Sequence, residues 1–221
     1  MPSFPVPSNE AARQAALDQT CGLVEGGDPR LDALAAEVRR VTGCPTGLVS
    51  LVDTDRQVFS GRSGFPQRQT ARDYLICAHV ILSDRDLVIP DTHETPRFRT
   101  HPVVVNPPHV RFYAGTPIVL RSGFRVGSLC ALDYAPRDAP SPAVMDRMRA
   151  LARQAAEILE GGDPPPPAAH LDGADEVPGE RTGACAVPSR AVTPREVTPR
   201  RQPDAPGPAD ASPGRIPTSS R

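Results

Sequence analysis

Apolar residues recur first at helical spacing. Ser8 or Asn9 is placed to cap a helix through Glu10–Thr20, which Gly22 would end. The next segment is better marked. Asp28 stands at the cap and Pro29 at the first helical position; Leu31, Leu34, Ala35, Val38 and Val41 form the apolar stripe, and Gly43 supplies the stop. The period then changes to two. Thr46–Asp53 alternates, Thr54-Asp55-Arg56 turns, and Gln57–Arg62 returns as a hairpin partner. Tyr74–Leu82 is apolar nearly all round, which suits either a buried short helix or a core strand. Leu87–Pro90 reads as a short strand. Phe112–Leu120 and Arg125–Asp133 flank a turn at Arg121–Phe124 and form a second hairpin, in which Pro117 must lie at an edge or bulge. A last helix starts at Ser141 and Pro142 and runs to Glu160, with Val144, Met148, Leu151, Ala155 and Ile158 on one stripe. That stripe spans two heptads, fewer than a coiled coil needs, so the helix is expected to lie on its own sheet. Hairpins and flanking helices together predict an α+β domain with an antiparallel sheet.

Composition limits where this fold can extend. Of 221 residues and 28 prolines, 13 prolines fall in residues 161–221, whereas all nine aromatic residues lie at or before Tyr134. The tail cannot bury enough apolar surface to offset the entropy of ordering it. The expected organisation is a flexible start over 1–9, one folded domain over 10–160 and a disordered proline-rich tail over 161–221. Within the tail, Val-Thr-Pro-Arg occurs twice and leaves Thr193 and Thr198 as exposed hydroxyls.

Charge excludes further classes. The chain carries a net −1, with neither the basic surplus expected of a nucleic-acid binder nor a polybasic stretch for an anionic membrane. All 25 cationic residues are arginine. The absence of lysine removes the P-loop lysine, the kinase strand lysine and Schiff-base chemistry. The five cysteines match no disulfide framework or zinc site. With no export leader and no long apolar run, a cytoplasmic location is expected.

The ordered blocks TGLVSLVDTDRQVF, ICAHVIL, LVIPDTHETPRF and NPPHVRFYAGTPIVLRSGFRVGSLCALD resemble a bacterial GAF domain from about Glu10 to Glu160. The resemblance implies a central antiparallel sheet of five to six strands. Amino- and carboxy-terminal helices would pack on one face, with a small-molecule pocket under loops on the other. Two departures, Val58 and Tyr74-Leu75-Ile76, fall at positions that shape such a pocket, so ligand identity does not carry over. Some GAF proteins reduce free methionine sulfoxide through loop cysteines; the cysteines here fall on predicted helices and strands.

The candidate ligand-binding residues are Ser50, Cys77, His79, Arg111, Phe112, Tyr113 and Cys130. On a helix, Cys77 and His79 point roughly 200° apart and form no dyad; on a strand they share a face. Arg72 is the nearest cation in sequence that would activate Cys77. If residues 109–113 are extended, His109, Arg111 and Tyr113 face one way and Val110 and Phe112 the other. Arg111 then either binds a carboxylate or phosphate, or pairs with Asp91 or Asp133 and pins a loop. Ser50, Ser128 and Cys130 form a wall of small residues beside a ligand or a bulky core side chain. Asp91 reads as a cap. No catalytic motif and no metal-ligand spacing occurs among His79, His93, His101 and His109, so no enzyme activity and no metal is expected, and no cofactor is specified.

The favoured reading is a sensory or regulatory module that binds a small ligand and signals through a protein partner, with homodimerisation through the terminal helices as one route. The alternatives are a ligand-free interaction module and a thiol-dependent sulfoxide or peroxide reductase. No output domain is recognised after Glu160.

Overall fold

The computed structural model describes residues 5–20, 27–74 and 76–162. Five helices and six strands alternate through them. They are α1 (Glu10–Asp18), α2 (Pro29–Thr42), β1 (Thr46–Val52), β2 (Arg56–Ser63), β3 (Gln69–Ala71), α3 (Cys77–Val80), β4 (Leu87–Ile89), α4 (Pro102–Val105), β5 (Phe112–Val119), β6 (Arg125–Asp133) and α5 (Pro142–Leu159). The strands form one sheet in the order β3-β2-β1-β6-β5-β4, and every pairing is antiparallel. The proline-rich tail, Thr193, Thr198, Gly22, Cys21 and Cys185 lie outside the described residues.

Helices α2 and α5 start where their caps place them. The Asp28 carboxylate accepts from the Arg30 N–H and the Ser141 hydroxyl from the Val144 N–H, each with proline at the first turn. Gly43 ends α2 in the left-handed conformation at φ 65°. The first helix is less conventional. Asn9 makes no side-chain cap, and the Glu10 N–H instead bonds the Pro7 carbonyl.

Both faces of the sheet are covered, so β1 is buried along its whole length and its alternation decides only which layer each side chain joins. Val49 and Leu51 meet α2 and α5, whereas Leu48 and Val52 face the layer built from α3, α4 and the loops. The helix layer lies very close to the sheet. A Cβ at Gly61 would fall 2.2 Å from the Leu31 carbonyl oxygen, and one at Gly47 2.2 Å from that of Ala35. On α5 the buried stripe starts at Met145, not Val144, and continues through Met148, Leu151, Ala155 and Ile158 onto the sheet. Pro117 sits on the part of β5 that β4 does not reach, one residue before a register shift at Ile118/Val119.

Two expectations change. Residues 109–113 are not one extended run: His109 takes φ 57°, and the strand begins at Phe112. Val110 therefore joins Tyr113 in the α3-side cluster, while Phe112 joins the helix-side core. The short elements β3 and α4 were not legible in the pattern. In α4, the β-branched run Val103-Val104-Val105 argues against a helix, and Pro102 at its first turn is the sole local signal in favour.

Candidate functional site

Within the apolar segment 74–82 the short helix α3 spans Cys77–Val80, so Cys77 and His79 diverge. The Cys77 sulfur points down onto the sheet, where it lies 3.7 Å from the Cys130 sulfur on β6. Tyr113 lies along β5 over Gly115, where a Cβ would come within 2.5 Å of the phenol oxygen. The missing side chain lets the Tyr113 hydroxyl reach Cys77 Sγ at 3.5 Å and Ser128 Oγ at 3.0 Å. Ser50, paired across the strands with Ser128, bonds Gln57, whose amide donates 2.6 Å to the Arg72 carbonyl. Ser50, Gln57, Cys77, Tyr113, Ser128 and Cys130 are all fully buried.

These contacts separate the two thiols electrostatically. Donation from Cys130, Tyr113, Ser50 and Ser128 favours the Cys77 thiolate against its burial and lowers its pKa. Cys130, as the donor to Cys77 in a buried site, is shifted well up. Arg72 is not the cation that activates Cys77. Its guanidinium turns to Glu10 (2.5 Å) and to the carbonyls of Asp53 and Thr54.

His79 points the other way, edge-on to Phe98 at 5.0 Å between centroids and 5.7 Å from His101. Burial is the main cause that lowers both histidines to about 4, reinforced at His79 by Arg97 and His101. Both rings are therefore neutral at pH 7, and neither Nδ1 has a hydrogen-bond partner among the described residues.

Arg111 forms a bidentate pair with Asp91, at 2.9 and 2.6 Å, while its backbone bonds Thr92 and Asp133. Asp91 also accepts from the His93 N–H. The guanidinium fork is thus used to pin the loop after β4 to the start of β5. The seven candidates consequently separate: Ser50, Cys77, Tyr113 and Cys130 converge, His79 and Arg111 each serve another cluster, and Phe112 lies on the far face.

Sequence reasoning had placed Ser128 on the wall but missed Gln57. Its position in β2, two residues before buried Phe59, carried the signal. Surface cavities of about 490, 430 and 680 Å³ lie elsewhere, at Arg137, at Phe124 and against α1 respectively. Among the described residues no group of three His, Cys, Asp or Glu side chains is placed to hold a metal. No described helix is long and apolar enough to cross a membrane.

A six-stranded antiparallel sheet with its terminal helices on one face and a polar cluster under short helices on the other defines a two-faced α+β scaffold. The sequence model of the GAF domain matches residues 27–159, and the chain belongs to the GAF domain family. A cyclic di-GMP phosphodiesterase of Pseudomonas aeruginosa is 38% identical over 137 residues, covering 62% of this chain and 23% of that protein. The chain thus spans about a quarter of the curated relative's length. Among solved structures, the GAF domain of an Acinetobacter phosphoenolpyruvate-protein phosphotransferase aligns with TM-score 0.50 at 14% identity, over 70% of this chain and 94% of that one. The PixJ GAF domain of Thermosynechococcus elongatus aligns at 0.48 and 20% identity, over 71% and 90%. Both likenesses concern the fold alone.

Proposed function

We propose that the chain is a cytoplasmic sensory module that receives a small-molecule input on the α3 side of its sheet and passes it to a protein partner. The observation that carries this reading is the buried cluster of Ser50, Cys77, Tyr113, Ser128 and Cys130. Its members bond to one another or to Gln57 out of contact with water, its two thiols and phenol are shifted from their ordinary values, and groups so shifted cluster at functional sites. The sheet supplies a path to the other face. On β6, Cys130 belongs to the cluster, while its neighbours Leu129 and Ala131 pack in the helix-side core with α5. A shift of Cys130 is therefore felt by the terminal helices. A dimer through those helices would use their outer surfaces, because their apolar stripes lie on the sheet. The phosphodiesterase relative makes a cyclic di-GMP signalling protein the first partner to test, with this chain regulating it.

A thermal-shift series on the full chain with nucleotides (cyclic di-GMP included), amino acids and haem-like compounds tests the ligand. One class is expected to raise Tm, and Ser128→Ala should remove the shift. Failure of every class would favour the second reading, a ligand-free interaction module. One specific observation supports that alternative: Ile76, Val80, Ile81 and Tyr113 already fill the space above the sheet.

A further inference from the structure

The two buried sulfurs have a chemistry that ligand binding does not use. We propose that Cys77 and Cys130 form a redox modification site, in which a hydroperoxide converts the two thiols into a disulfide beneath α3. The inference deepens the sensory reading by naming the class of its input, and it rests on that reading for its consequence.

The geometry meets three requirements. First, the sulfurs of Cys77 on α3 and Cys130 on β6 are in direct contact at 3.7 Å, about 1.7 Å beyond the length of an S–S bond. Second, the pair is asymmetric. Cys77 accepts from Tyr113, touches Cys130 and is the more acidic thiol, which fits it to attack; Cys130 is shifted up and fits the resolving role. Third, the cover is a short element. Both sulfurs are fully buried, but helix α3, which carries Cys77 over the sheet, has four residues and no side-chain cap, and the reaction requires that this one turn open locally to a molecule the size of hydrogen peroxide. Cys44 has no such pairing: it is buried just after α2 with its sulfur bonded to the Thr42 carbonyl, and burial raises its pKa against the opposing Thr42 bond and Arg137 charge.

The reaction balances as follows. The Cys77 thiolate attacks one peroxide oxygen, the O–O bond breaks, and the departing hydroxide takes a proton to become water. Cys77 is left as a sulfenic acid. The Cys130 sulfur then attacks Cys77, the S–S bond forms, and the sulfenic oxygen leaves as a second water with the Cys130 proton. The two thiols lose two electrons and two protons, and the peroxide is reduced to two waters. A small-molecule dithiol reverses the change by exchange.

The test uses the full chain, reduced and folded, treated with hydrogen peroxide, thiol-blocked, digested and mapped by mass spectrometry. The expected product is a Cys77–Cys130 cross-linked peptide that forms before Cys44 oxidises and disappears with dithiothreitol. In Cys130→Ser, dimedone should instead trap a sulfenic acid at Cys77, and Tyr113→Phe should slow wild-type cross-linking about ten-fold. If these variants fail to fold, the wild-type map decides. Oxidation confined to Cys21, Cys44, Cys185 or methionine, with the 77–130 pair still reduced, overturns the proposal. So does the same cross-linking rate in the urea-unfolded chain. A cross-link that leaves the terminal helices unchanged upholds the chemistry and counts against the sensory reading alone.

Discussion

Both faces of the sheet are covered by buried side chains, but they use them differently. Towards α2 and α5, Leu31, Val38, Val49, Leu51, Leu129, Met148 and Leu151 form one continuous apolar cluster around backbone contacts too close for any Cβ at Gly47 or Gly61. Towards α3, an apolar cluster of similar kind also holds the Cys77 thiol on α3, the Cys130 thiol, a phenol and two serine hydroxyls on the sheet, and two neutral histidines at its rim. The first arrangement maximises packing. The second keeps polar groups inside the core by bonding them to one another.

The largest expected effect lies on the helix side. Leu151→Ala should cost about 3 kcal/mol in urea unfolding, because α5 cannot collapse onto the cavity. Gly61→Ala should cost ~2 kcal/mol by lifting α2 off β2. A loss under about 0.5 kcal/mol for either would break the picture of a rigid, apolar face.

Acid separates the two sides. A histidine held neutral in the folded state has no effect above its unfolded value near 6.5; below that, protonation favours the unfolded chain until the folded value is reached. With both rings at about 4, stability should fall as pH drops from 6.5 towards 4. His79→Phe should shallow that limb. The α1 clamp titrates later. Burial raises the Glu10 carboxyl, but hydrogen bonds from Arg13 and Arg72 outweigh it and bring the pKa to about 2. Its contribution is present above 4.5 and is lost as pH falls from there towards 2, together with that of Glu37. Equilibrium unfolding across pH should therefore show an α3-side limb first and a clamp limb second. A single limb below 4.5 would mean that the histidines are hydrated and not buried. The smallest effect is Tyr113→Phe, about 1 kcal/mol, since one hydroxyl and two bonds are lost.

Much of the fold was legible because its signals are local. Asp28-Pro29 and Ser141-Pro142 fix two helix starts, Gly43 fixes an end, and period-two runs mark both long hairpins. The helix reading of 74–82 needed the family resemblance, since an apolar run of that length has no distinguishing period. The site was only partly legible. Ser50, Cys77, Tyr113 and Cys130 were all identified, but their convergence depends on strand register and on Gly115 making room for a phenol ring, neither of which periodicity encodes. Val110 departs from the expected alternation because left-handed His109 precedes the strand, while the Arg111–Asp91 pair is one of the two roles its sequence neighbourhood offered.

Amide hydrogen exchange on the full chain, reduced and after peroxide, tests most directly that the α3 side receives a signal and the helix side reports it. The account predicts altered protection at residues 76–81 and, across β6, in α5 and α1. Changes confined to residues 76–81 and 128–132, with α1 and α5 exchanging as before, would contradict it.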